Sequence, residues 1–430
     1  MAEGATFGPG DMTLFWSGDN KVVVTQQAMD TQFLDDCREI LGYENLTHLA
    51  VGATEPSHSL CEDLMGDDRV LGRLAELLDG GPDGGPHDGP VYVESYAATP
   101  EYAALVAGIR ARLSRPVTDL MAPEDLELIS ILDSKIQARE FFSVAAASSP
   151  MRLTRAFTAR RGSDLARIAG SALRVLGPAI VKADFGAGGH DMTLVNSADS
   201  LRDNDDIVAL LPPALDTDFL IEEYLKPSSG EVLPVAYSGA VGHDGEISSI
   251  GTCRQFFFAE WRHVGSQVGI GAMPPGCGDK VLQAGEAIAK VAGSFGYRGP
   301  LNIDFLYRDS DSTLFPLEIN PRRCLSATLG DICMQIFGLG YEKTAAAVAR
   351  RWVPVHPSIT SYGRLRDTLL SRGLFARETS GLVILPYMVT ALPHSSIIGL
   401  AVVGTDPAAV ESAFSEATQL LAQPPGSHPK

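Results

Sequence analysis

The sequence predicts a chain that is α/β over residues 1–120 and α+β beyond them, and three observations carry that reading. Apolar strand-like runs alternate three times with amphipathic helical runs before Arg115, the pattern of a small parallel sheet with helices on both faces. The stretch GPLNIDFLYRDSDSTLFPLEINPRR, from Gly299 to Arg323, reads as two strands joined by the polar turn RDSDST. At 430 residues, 45% hydrophobic and 20% charged, the chain is long enough for two or three packed domains.

From Lys21, KVVVTQQ is a buried strand, and AMDTQFLDDCREILG has apolar residues at helical spacing up to Gly42. LTHLAVGA repeats the strand, and SLCEDLMGDDRVLGRLAELLDG repeats the helix. The eleven residues GGPDGGPHDGP are a linker, because their prolines remove the backbone donors a phosphate loop needs. PVYVESY and PEYAALVAGIRARL complete the third round. After Arg115 the run APEDLELISILDSKIQAREFF predicts one helix, opened by Pro123 and carrying Lys135 beside its apolar face. GSDLARIAGSALRVLG is a further helix. It leads into the strand AIVKADF, the glycine loop GAGGHDM and the strand TLVNS. DFLIEEYL and EVLPVAYSGAVGHDGEISSIG read as antiparallel strands with HDGE as a turn. KVLQAGEAIAKVAGSFG is a helix ending at Gly296. Past Val355, GLVILPYMV and IIGLAVVG pair as strands before a final helix, AAVESAFSEATQLL.

A formal net charge of −19 repels polyanions, which argues against nucleic acid or an anionic membrane surface as partner. No apolar run approaches the roughly 20 residues that span a bilayer, and no basic segment precedes an apolar one at the N-terminus, so a cytoplasmic address is expected. The six cysteines show no CxxC pair or metal spacing and are expected to be reduced thiols.

The hairpin carries the chemistry. Asp304 lies on one strand, Glu318 and Asn320 on the next, and two carboxylates with a carboxamide suit Mg²⁺, which keeps waters and takes further oxygens from nucleotide phosphates. Taken alone, the same residues also describe the rim of an ordinary hairpin. Lys182 beside Gly186, Gly188 and Gly189 offers a point charge and close backbone approach to phosphates; a plain hairpin with an exposed lysine is the competing reading. Lys135 is a second candidate charge. The run LIEEYL presents Glu222, Glu223, Tyr224 and Leu225 to the edge of an adenine ring, and Glu231 to the ribose. Strand-end acids facing solvent are the alternative.

The order of these signals, most specifically NIDF, LEINPR and VKADFGAGG, resembles the ATP-grasp enzymes over roughly Leu120 to Trp352. The resemblance implies a two-lobed clamp behind an N-terminal Rossmann-like domain of residues 1–120. A lid of residues 121–225, a metal-bearing subdomain of 226–355 and an extension of 356–430 would make up the clamp. It also implies ATP and Mg²⁺ as cofactors and activation of a carboxylate as an acyl phosphate, then attacked by an amine or thiol. Carried over, Lys135 and Lys182 would hold the phosphates, Glu222 through Leu225 the adenine, Asp304, Glu318 and Asn320 one or two Mg²⁺, and Arg322 the phosphoryl oxygens. Asn302 stands where D-alanine ligase-like members have an arginine, so that duty would fall on Arg322, Arg323 or Arg254. Arg254 opens an aromatic and basic segment that would line the acceptor site, unless Phe256 to Trp261 form a buried strand. The expected activity joins an amino-acid carboxylate to an amine or a peptide N-terminus, by a homodimer; a small-molecule kinase and a non-catalytic nucleotide-binding regulator are the alternatives.

Overall fold

A computed structural model describes residues 10–52, 59–80, 89–121, 126–160, 165–186, 192–196, 218–225, 232–258, 262–375 and 381–424. The first elements are β1 (Lys21–Thr25), α1 (Thr31–Leu41), β2 (Leu46–Ala50), α2 (Leu60–Gly66), α3 (Asp68–Gly80), β3 (Val91–Val93), α4 (Pro100–Arg110) and β4 (Val117–Asp119). β1 pairs with β2 and β3 with β4, both in parallel. Asp30 caps α1 by accepting from the Gln32 and Phe33 amides, and Gly42 closes it at φ 67°. The single helix expected from Ser59 to Gly80 is broken at Asp67, which is extended and whose carboxylate accepts from the amides of Arg69 and Val70, starting α3 anew. β4 was not expected from the sequence. Most of the expected linker, residues 81–88, lies outside the described residues.

Next come α5 (Glu127–Asp133), α6 (Ala138–Ala145), β5 (Ala156–Ala159), α7 (Leu165–Leu176), β6 (Ala179–Ala183), β7 (Met192–Val195) and β8 (Phe219–Glu223). They are followed by β9 (Val232–Val241), β10 (Ile247–Phe258), β11 (Arg262–Gly269), α8 (Cys277–Ser294), β12 (Gly299–Arg308) and β13 (Thr313–Asn320). The chain closes with α9 (Leu325–Phe337), β14 (Ala346–Pro354), α10 (Tyr362–Leu370), β15 (Leu382–Tyr387), β16 (Ile397–Gly404) and α11 (Pro407–Leu421). All six cysteines are free, and among the described residues no helix is long and apolar enough to cross a membrane.

Two compact units result: Met1–Ala122 with Gly265–Ala272 and Arg323–Lys430, and Pro123–Val264 with Met273–Arg322. The first unit joins the parallel strands to four antiparallel ones in the order β11-β14-β16-β15, with α11 packed on β14 and β16. Asp36 of α1 accepts from the Tyr362 hydroxyl (2.8 Å) and Arg366 Nε (2.7 Å) of α10, tying the N-terminal stretch to the C-terminal one. Arg323 is shared by Glu94 (Nε to Oε1, 2.6 Å) and Asp331 (Nη1 to Oδ2, 2.7 Å). Burial outweighs the guanidinium, and Asp331 is pushed up to about 6. A carboxyl raised in the folded state stabilises fully below its unfolded value and loses that contribution as pH climbs through about 6. Thermal melts from pH 4 to 7 should therefore show wild type losing stability relative to Asp331→Asn across that window; parallel curves would contradict it.

The second unit contains two sheets. One is antiparallel in the order β5-β8-β6-β7, with α7 against one face. The other runs β13-β12-β9-β10, and α8 covers its apolar face through Val281, Ala284 and Ile288 against Val235, Tyr237, Ile303 and Phe305. Gly285 of α8 meets the Tyr237 ring so closely that an added Cβ would lie 2.1 Å from Cγ. Gly170 of α7 has nothing within 4 Å of that position. Gly285→Ala should thus destabilise by about 1–3 kcal/mol through overpacking, whereas Gly170→Ala should stabilise by up to about 1 kcal/mol from helix propensity; urea unfolding measures both.

Candidate active site

Strand alternation sorts the hairpin residues. In β12 and β13 the residues Ile303, Phe305 and Ile319 enter the core under α8, which sends Asn302, Asp304, Glu318 and Asn320 to the opposite face. Asp304 and Glu318 are direct cross-strand partners, as are Asn302 and Asn320. Like charges placed opposite each other are unfavourable by themselves. Asn320 Nδ2 donates to Asp304 Oδ2 (3.2 Å) and lies 3.5 Å from Glu318 Oε1, so the positive end of an amide fills the space between the acids. Burial, with the Glu318 carboxylate beside it, pushes Asp304 far above the usual carboxylate range. Burial acts the same way on Glu318, but Lys135, the proton on Asp304, Lys182 and Arg322 together hold it below its ordinary value. Among the described residues no three His, Cys, Asp or Glu side chains gather as a metal group. Two apposed carboxyl groups, one of which would release its proton on binding, and a carboxamide that can turn its oxygen inward nevertheless fit a hard divalent cation that needs few protein ligands.

Cations reach this face from the other sheet and the turn beside it. The expected single helix breaks at Ser134, and Lys135 lies in the turn between α5 and α6, buried rather than on a solvated helix face. Asp184 makes the break: its carboxylate accepts from Ser134 Oγ (2.8 Å) and the Ile136 amide (2.9 Å). Lys135 Nζ then donates to Gly186 O (3.1 Å) at the start of the glycine loop and sits 3.8 Å from Glu318 Oε2. In β6 and β8, Ala179, Val181, Ala183, Phe219 and Ile221 pack under α7, so Lys182 and Glu222 share the opposite face. Lys182 Nζ binds Glu222 Oε2 at 2.6 Å. The other oxygen of Glu222 receives Arg139 Nη1 (2.9 Å) and the Thr154 hydroxyl. Burial raises the Glu222 carboxyl, but Lys182, Thr154 and Arg139 overcome that and keep it depressed and ionised.

No protein-family model and no curated protein matches the chain. Solved structures do. Biotin carboxylase from Campylobacter jejuni, in its β,γ-ATP complex, matches with a TM-score of 0.57 at 14% identity, covering 93% of this chain and 85% of that one. N5-carboxyaminoimidazole ribonucleotide synthetase from Thermus thermophilus matches at 0.53 and 14% identity, covering 94% and 99%. Pyruvate carboxylase from Rhizobium etli (T882A) matches at 0.54 and 14%, covering 87% of this chain and 33% of that chain, so this protein spans about a third of its length. The chain has the ATP-grasp fold.

Within that ATP-grasp fold the structure brings together Lys135, Lys182, Glu222, Asp304, Glu318, Asn320 and Arg322, the last through its electrostatic action on Glu318. The Glu222 carboxylate is engaged by Lys182, Arg139 and Thr154. Glu223 is likewise engaged, by Arg155 Nε (2.8 Å) and the Arg155 amide (2.9 Å). Tyr224 and Leu225 follow β8; the Tyr224 amide donates to Pro178 O (3.0 Å). Gly188, Gly189 and Glu231 lie outside the described residues. Arg254 is not at the site. Gln255 beside it reaches Asp304, so alternation turns Arg254 to the other face of β10, where its guanidinium lies 5.5 Å from the Phe256 ring centre. Arg323 is committed to Glu94 and Asp331. The segment after Arg254 is not a buried strand throughout, since Phe258 is 66% exposed and the ring of Phe257 packs edge-on against His263 at 5.6 Å.

Sequence reasoning missed Asp184, Arg139, Thr154, Gln255 and Asp133, the last half-buried and pushed up by burial despite the opposing Arg322 and Lys135. Only Arg139 left a signal: it stands four residues beyond Lys135, one helical turn on.

Proposed function

We propose that the protein is an ATP- and Mg²⁺-dependent carbon–nitrogen ligase that couples an amino-acid carboxylate to an amine through an acyl phosphate. The observation that carries this is the convergence of Lys135, Lys182 and Arg322 on Glu318, whose partner Asp304 completes an oxygen-donor pair. Phosphoryl transfer needs positioning and positive charge more than covalent help, and no nucleophilic side chain is called for. Lys135 and Lys182 would hold the nucleotide phosphates, with Gly186, Gly188 and Gly189 as a flap. The backbone of Glu222 through Leu225 would meet the adenine, and Glu231 the ribose. Asp304, Glu318 and Asn320 would hold Mg²⁺, which supplies charge neutralisation between phosphate oxygens when bound. A carboxylate oxygen of the donor substrate attacks the γ-phosphorus and ADP leaves; the amine nitrogen then attacks the acyl carbon, phosphate leaves, and the surplus ammonium proton goes to solvent. Arg322 would offset the oxyanion of the tetrahedral state.

The three similar structures named above are carboxylases or a carboxyaminoimidazole ribonucleotide synthetase, which supports carboxylate activation. The length and the Ala-, Gly- and Asp-rich composition resemble the peptide ligase of pheganomycin biosynthesis, an ATP-grasp enzyme. That supports a peptide N-terminus as acceptor and a role in antibiotic biosynthesis; the proposal includes a cytoplasmic address and, as is common among related enzymes, a homodimer. Incubating the protein with ATP, Mg²⁺, amino acids and peptides should release ADP and phosphate in step with amide product. Release of AMP and pyrophosphate, or a stable phosphorylated product formed without amine, would overturn the reading.

A further inference from the structure

We infer that Gln255 and Asn302 are positioning residues that fix Asp304 so that one of its two oxygens is reserved for the cation; this rests on the metal reading proposed above. Both side chains donate to the same atom, Asp304 Oδ1: Asn302 Nδ2 at 2.7 Å and Gln255 Nε2 at 2.8 Å. The direction of the Asn302 amide is fixed from its other end, because the Ser238 hydroxyl donates to its Oδ1 at 3.2 Å. Ser238, Gln255 and Asn302 are all buried, and they come from β9, β10 and β12, three adjacent strands. Rotation of the Asp304 carboxylate would break both bonds and strand buried amide donors. Oδ1 thereby takes both buried amide donors, and Oδ2, which accepts the longer bond from Asn320 Nδ2 (3.2 Å), is the oxygen on the side of Glu318.

The chemistry of the two donors also explains why an asparagine suffices at 302. A guanidinium there would neutralise Asp304. Two carboxamides orient it without supplying a countercharge of their own.

The test is Mn²⁺ titration of the full-length protein with ADP present, with free Mn²⁺ read by electron paramagnetic resonance. Gln255→Met and Asn302→Leu should each weaken Mn²⁺ binding by about 10- to 100-fold, the usual effect of losing a hydrogen bond to a ligating carboxylate. For Gln255→Met the thermal midpoint in EDTA should not move, and turnover should return at high Mg²⁺, so that the loss falls on the metal's KM and not on kcat. A purely structural role would move the midpoint and would not be rescued by metal. Wild-type Mn²⁺ affinity in Gln255→Met overturns this inference while leaving the ligase reading intact. Failure of the wild type to bind Mn²⁺ at all overturns the metal reading beneath it.

Discussion

Replacing Glu222 by leucine is expected to cost about 3–5 kcal/mol of unfolding free energy, the usual penalty for removing one partner of a buried ion pair. Glu222 is 2% exposed and Lys182 5%, and Glu222 is the acid that both Lys182 and Arg139 bind. Without it, Lys182 is left charged in a protein interior or must lose its proton, and either course disfavours the fold. The double variant Glu222→Leu with Lys182→Met should recover more than half of that loss, because a buried pair replaced by apolar side chains of similar volume is often tolerated. Urea unfolding of the two single variants and the double one closes the cycle. Additive losses would mean that the pair is not coupled. The double variant also separates folding from function. It should fold well and bind no nucleotide.

The residues that the sequence made legible are those whose placement depends on strand alternation alone. In NIDF and LEIN the polar and apolar positions alternate, so once two strands and a turn are recognised, Asp304, Glu318 and Asn320 must share a face. The same holds for the succession of strands and helices before Arg115, where each element has its own period. What remained hidden depends on partners far away in sequence. Nothing local in LDSKIQ announces that the helix stops at Ser134; the stop is made by Asp184, fifty positions on. Glu222 reads as a strand-end acid until Lys182, Arg139 and Thr154 are seen around it. Arg254 sits in a segment of the right composition, yet its face is decided by the pairing of β10 with β9, in which a register shift between Ser249 and Gly251 changes the count.

Asp304→Asn should separate stability from activity in opposite directions. The carboxyl is pushed up by burial and by Glu318, so the metal-free protein at neutral pH holds a group that resists ionisation. An amide of nearly the same shape removes that conflict, because Asn320 can turn its oxygen toward the new NH₂. The unfolding free energy in EDTA should rise by about 1 kcal/mol, as is common when a strained functional group is neutralised. Turnover should fall by about 10²–10³-fold or more, the cost of losing one preorganised electrostatic contributor to a transition state. Added Mg²⁺ with ADP should raise the thermal midpoint of wild type and leave that of the variant unmoved, since only a state that binds ligand is stabilised by it. Turnover within tenfold of wild type would show that Asp304 takes no part in holding the cation. A variant less stable than wild type in EDTA would instead show that Asp304 is held mainly by its contacts with Asn302 and Gln255, both of which lose an acceptor if the new amide presents its nitrogen to them.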